Sequence, residues 1–210
     1  MKKSIYFSAF GIFILLIFGV KIFGNFNSVK NEINQTEKPI TMKQEQSKNT
    51  LTKEDYQFLK RCLKLAEKAY KAGDKPFGSI LVNTDGEIIA EARNRVNEIN
   101  VLSHPEYELA KWAVENLSWE ERKETRMYTS GEHCPMCSGA HAWAELGDLI
   151  YLSSGKQLRL WLSEVGAEDS PIQLIPAEKI INNITVKGPA EGELLEKIKD
   201  LQIKTFQRDQ

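Results

Sequence analysis

The sequence predicts an α/β fold: a mixed five-stranded sheet between helix layers, three-layer α/β/α. Two observations carry this. Apolar residues recur at helical spacing near the start and the end of the folded part, and short β-rich runs alternate with helical runs after an opening hairpin. The predicted element order is α, β, β, α, β, α, β, α, β, α.

Each element has its own signal. Thr52 with Asp55 three residues later forms a capping box, and Phe58, Cys62, Leu65, Ala66 and Ala69 follow on one helix face up to Gly73. GSILVN (78–83) and EIIAEARN (87–94) read as two strands around Thr84-Asp85-Gly86. A helix starts at Ser103-His104-Pro105-Glu106 and runs to about Leu117, with proline at a position where its missing N–H costs nothing. RMYTS (126–130) is a short strand, Cys134 to Leu146 a helix, DLIYLSS (148–154) a strand and QLRLWLSEV (157–165) a helix. NITVKG (183–188) is the last strand. The terminal helix, Ala190 to about Arg208, turns Leu194, Leu195, Ile198, Leu201 and Phe206 inward. WEERKETR (119–126) reads as a solvated connector. Trp112, Trp143 and Trp161 read as helix core, and Cys62 as an inert core thiol.

Not all of the 210 residues read as fold. Lys2 and Lys3 precede an uncharged apolar run from Ile5 to Val20; Lys21 interrupts it before Ile22-Phe23-Gly24. The run is longer than the usual signal-peptide core of about 7–15 residues and shorter than the ~20 that span a bilayer, unless Lys21 snorkels. Residues 1–24 are therefore expected to be a signal peptide or a membrane anchor, held through residues 5–23 if uncleaved. The leading lysines favour an exported domain, periplasmic or extracellular. Residues 25–50 are rich in Asn, Gln, Lys and Glu and read as a polar linker. Residues 51–210 remain, about 160 residues, a comfortable single domain. The net charge of −1 offers no field for nucleic acid, and three cysteines are too few for a disulfide scaffold.

The chemistry-bearing residues fall at two predicted helix starts. His104 opens one, and Cys134 and Cys137 open the other. A helix N-terminus favours thiolates. One imidazole and two thiolates on tetrahedral zinc leave one position open for water, the arrangement of a catalytic site. Glu106, two residues after His104, is placed to accept a proton from that water and to deliver it to a leaving nitrogen. Two other readings stand beside this one. One is a redox dithiol, which leaves His104 and Glu106 unexplained. The other is a structural zinc closed by His133 or His141.

Histidine, glutamate and the cysteine pair match the H-x-E…C-x-x-C signature of zinc nucleobase deaminases. In KPFGSILVN (75–83), ARNRV (92–96), SHPEYELA (103–110) and GEHCPMCSGA (131–140), the chain resembles the cytidine deaminase-like superfamily, nearer its guanine deaminase and tRNA adenosine deaminase branch. The resemblance implies His104, Cys134 and Cys137 as zinc ligands, Glu106 as proton shuttle, and Asn94 as a contact to the base. It also implies a dimer. The expected reaction is hydrolytic deamination of a small purine-like base or nucleoside, a heterocyclic amine attacked by zinc-activated water at the ring carbon bearing the amine. The alternative is a non-catalytic, zinc-stabilised binding module of the same fold.

Three departures from the family pattern bear on the substrate. Pro105 stands where alanine is usual, and its missing N–H removes a donor to the base. His133 stands before Cys134 where proline is usual, and is expected to line the pocket or cap the strand end. After the fourth strand the chain reads SSGKQ (153–157) instead of an acidic residue, and Phe206 stands near the place of a tyrosine, which weighs against guanine.

Overall fold

The computed structural model describes residues 50–210. The apolar run at residues 5–23 and the linker lie outside the described residues. Among the described residues no helix is long and apolar enough to cross a membrane.

Helix α1 spans Lys53–Lys71 and starts at the expected box: the Asp55 N–H donates to Thr52 Oγ1 and the Thr52 N–H to the Asp55 carboxylate. Strands β1 (Gly78–Val82) and β2 (Ile88–Arg93) form the hairpin. Then follow α2 (Pro105–Asn116), α3 (Trp119–Glu124), β3 (Arg126–Thr129), α4 (Pro135–Trp143), β4 (Leu149–Tyr151) and α5 (Gly155–Glu164). A 3-10 turn at Ala177–Lys179, strand β5 (Val186–Lys187) and helix α6 (Glu193–Arg208) complete the chain. The sheet order is β2-β1-β3-β4-β5. Strand β1 is antiparallel to both β2 and β3, while β3, β4 and β5 run parallel, so the sheet is mixed and five-stranded as expected.

The period of two along the strands sorts the core. Ile80, Val82, Tyr128 and Ile150 join Leu59, Cys62, Leu65 and Ile198 of α1 and α6 on one face. Leu81, Met127 and Leu149 join Leu109, Ala110 and Ala113 of α2 on the other. At Gly78 an added Cβ would sit 2.3 Å from Leu65 Cβ and 2.7 Å from the Cys62 carbonyl oxygen. Only glycine lets α1 lie that close to β1.

Several expectations change. The stretch read as a connector contains α3, because Ser118 and Glu121 form a second capping box. Helix α4 ends at Trp143, not Leu146, since Glu145 takes a left-handed φ of 52°. Strand β5 has two residues, bounded by Asn183 at φ 62° and Gly188 at φ 134°. Trp161 is core, but Trp143 is 90% exposed. Cys62 is fully buried, and burial pushes its thiol well up, as expected for an inert core residue.

Asp55 links the first helix to the sheet. Its carboxylate accepts the Tyr128 hydroxyl at 2.8 Å and lies 3.9 Å from Lys187 Nζ. Burial alone would raise this carboxyl; the Thr52 and Tyr128 hydrogen bonds and Lys187 outweigh it and hold it below its ordinary value. A depressed folded pKa contributes stability that is full above the unfolded value, near 3.9, and is lost as pH falls through the folded value. Asp55→Asn should therefore cost about 1–2 kcal/mol at pH 7 and flatten the acid limb of a melting-temperature–pH profile. An unchanged acid limb would remove Asp55 from that role.

Candidate metal centre and active site

Two helix starts build the site. His104 is the N-cap of α2 and Cys134 the N-cap of α4, each followed by proline at the first helical position. Neither side chain makes a capping hydrogen bond, although N-caps commonly do. They turn to each other instead. His104 Nδ1 lies 3.6 Å from Cys137 Sγ and 3.8 Å from Cys134 Sγ. One donor atom from each of the three residues falls within 4.8 Å of the other two. The α2–α4 packing that brings these ends together is the apolar layer on that face of the sheet.

The electrostatics suit a cation. Cys134 is pushed down to about 4, first by the hydrogen bond from the Cys137 thiol and then by His104, against the opposing effect of burial. Cys137 is raised by that same hydrogen bond, by burial and by Glu106. The hydrogen bond with Cys134 raises His104. Among the described residues, three buried side-chain polar atoms lack a hydrogen-bond partner: Ser103 Oγ, His133 Nδ1 and Ser138 Oγ. Each belongs to a chain neighbour of a triad residue. One imidazole and two thiols at these distances fit zinc with an open coordination position. Neither His133 nor His141 joins the cluster, which tells against a closed structural site.

The two remaining histidines pair with each other. His141 Nε2 lies 2.9 Å from the Gly147 carbonyl oxygen, which can only accept, so the proton sits on Nε2. Its Nδ1 then accepts from His133 Nε2 at 3.2 Å, leaving His133 Nδ1 a bare lone pair. Burial lowers both, so both rings are neutral.

Glu106 is 4% exposed in the first turn of α2 and is not part of the donor cluster. Its Oε1 accepts from Thr129 Oγ1 at 2.8 Å and from Ser79 Oγ at 3.0 Å. Burial pushes its carboxyl up, against the pull of His104 and the two hydroxyls. Asn94 is buried after β2; its Oδ1 accepts the Val96 N–H at 3.1 Å, and its Nδ2 makes no hydrogen bond among the described residues. Pro105 is buried at the first position of α2.

Sequence reasoning missed Ser79, Thr129 and Glu132. The signal for Ser79 was a polar residue in a strand that otherwise reads as wholly buried. Glu132 joins the loop before Cys134 to distant chain: its carboxylate accepts the Gly155 N–H at 2.8 Å and the Ala177 N–H at 2.9 Å. Glu132→Ala strands two amides and should lower stability by about 2–4 kcal/mol in urea unfolding. A loss under half a kcal/mol, on the order of a surface substitution, would show that solvent replaces the carboxylate.

An α/β/α sheet with a histidine–dithiol cluster at two helix starts and a buried glutamate beside it defines a zinc hydrolase of the deaminase class. The sequence pattern of the cytidine and deoxycytidylate deaminase zinc-binding region matches residues 52–153, and the chain belongs to that family. It is 36% identical over 115 residues to guanine deaminase of Bacillus subtilis, an alignment covering 54% of this chain and 70% of that one. It is 29% identical over 128 residues to a probable cytosine deaminase of Schizosaccharomyces pombe, covering 61% of this chain and 77% of that one. Guanine deaminase from Nitrosomonas europaea has the same fold: TM-score 0.55 at 19% identity, over 75% of this chain and 86% of that one. The chain is thus a zinc-dependent hydrolytic deaminase.

Proposed function

We propose that this enzyme deaminates a small purine-like base or nucleoside, with His104, Cys134 and Cys137 holding zinc and Glu106 moving the protons. The observation that carries the reading is the donor cluster with a buried, non-ligand carboxylate beside it. Zinc bound there supplies the Lewis acidity that makes water a nucleophile near neutral pH. Glu106 takes a proton from the attacking water and returns it to the departing nitrogen, so ammonia leaves neutral. Burial keeps bulk water from competing for that proton. Asn94 offers its Nδ2–H to an acceptor on the base. Pro105 offers no N–H, so a substrate needing a donor there is disfavoured, by about 1–3 kcal/mol. His133 offers a lone pair in place of a donor.

A small heterocyclic amine is favoured over tRNA. The net charge is −1, and the lysines of α6 are interleaved with Glu193, Glu196 and Asp200. The domain plan follows the sequence: an export signal or anchor in residues 1–24, a linker at 25–50, and the deaminase domain at 51–210, working as a homodimer outside the cytoplasm.

The test is ammonia release by the zinc-loaded protein from guanine, adenine, cytosine, their nucleosides and aminopterins. Release from one of these names the substrate. Silence across the panel, with one zinc per chain, would make the chain a binding module.

A further inference from the structure

We infer that Ser79 and Thr129 are positioning residues of the reaction, a hydroxyl pair that fixes Oε1 of Glu106 and so reserves Oε2 for proton transfer. This rests on the shuttle role proposed for Glu106. Ser79 on β1 and Thr129 on β3 are direct cross-strand partners. The period of two puts them on the same face as Leu81 and Met127, the face that α2 covers. Glu106 stands in the first turn of α2, so its side chain meets the pair where helix end and sheet converge.

The contacts form a closed set. Ser79 Oγ lies 2.9 Å from Thr129 Oγ1, and both lie within 3.0 Å of the same carboxylate oxygen. Thr129 Oγ1 is also 3.0 Å from the Gly131 carbonyl oxygen, on the loop that leads to Cys134. All three side chains are almost wholly buried. Among the described residues Glu106 has no ion pair with lysine or arginine. With no lysine or arginine beside it, this buried carboxylate is held by the charge of His104 and by hydrogen-bond donors. Two of its donors, the Ser79 and Thr129 hydroxyls, come from adjacent strands and converge on one oxygen. That arrangement fixes the rotation of the carboxylate plane as well as its location. Both hydroxyls bond Oε1 and neither bonds Oε2. Misplacement of a reacting group by about 1 Å costs on the order of 10²-fold in rate.

The experiment compares Ser79→Ala, Thr129→Val, the double variant and Thr129→Ser in the zinc-loaded full chain. Four quantities are read: kcat, KM, zinc per chain, and the Glu106 carboxylate in a crystal structure of the double variant. Each single loss of hydroxyl should lower kcat about 10-fold and the pair about 100-fold, with KM within about twofold. Zinc stays at one per chain, and Thr129→Ser, which keeps the hydroxyl, regains most of the rate. The carboxylate should turn in the double variant. A merely structural pair would lower the melting temperature and leave kcat alone, and that result overturns the inference. So does an unmoved carboxylate. Should the unaltered protein release no ammonia from any compound, the proposed function fails, and the position of the carboxylate alone decides the role of the pair.

Discussion

Glu106→Gln abolishes ammonia release while zinc stays bound at one per chain and the melting temperature holds. Glutamine keeps the length and shape of the side chain but cannot take up a proton. General acid–base participation contributes about 10²–10⁴-fold, and Glu106 serves both the attacking and the leaving side, so a loss near the upper end is expected. A 10⁴-fold loss is about 5.4 kcal/mol of barrier. The fold should tolerate the change because an uncharged amide is easier to bury than a carboxylate whose pKa burial already raises. The amide oxygen can still accept from Ser79 and Thr129. The measurement is single-turnover ammonia release beside metal analysis of the same sample. If the variant loses its zinc or unfolds, Glu106 is a structural residue and the shuttle assignment is wrong.

The parts of this site that the sequence reveals are those that are local. His104 and Glu106 sit two apart, Cys134 and Cys137 three apart, and both pairs open helices whose proline is visible in the sequence. Spacing of that kind survives without knowledge of the fold. Ser79 and Thr129 are fifty residues apart and meet only through the β1–β3 register, which no local pattern prints. Glu132 is beside the cysteines in sequence, yet its partners Gly155 and Ala177 depend on how the C-terminal third folds back. The sheet itself is legible because short β-rich runs such as Gly78–Val82 and Arg126–Thr129 alternate with helical runs after an opening hairpin. Boundaries were less so. Left-handed residues such as Asn183 and Glu145 cut β5 and α4 short, and nothing in their identity alone demands that conformation. Helix α3 is the opposite case: its Ser118–Glu121 box is local in sequence, but the run of charges after it reads as a solvated connector.

Cys137→Ser should remove the metal. Its sulfur is fully buried, 3.6 Å from His104 Nδ1, and joins the N-terminus of α4 to that of α2 across 33 residues of chain. Serine is smaller, its oxygen is a harder donor, and its hydroxyl does not ionise at neutral pH, so one imidazole and one thiolate remain. Changing only the partners of a ligand costs about 10–100-fold in metal affinity, and losing a ligand costs more. Zinc should fall well below one per chain after dialysis, and ammonia release with it. The linkage stabilisation goes too: about 4 kcal/mol where zinc stands at 1,000 times its dissociation constant. The melting temperature of the zinc-loaded protein should therefore drop to that of the chelator-treated one, and added zinc should no longer raise it. Cys62→Ser is the control, because that thiol is equally buried but lies in the α1 layer away from the cluster. It should lose some stability and keep its zinc. If both serine variants retain a full complement of metal, zinc is held elsewhere and the histidine–dithiol cluster is not the centre.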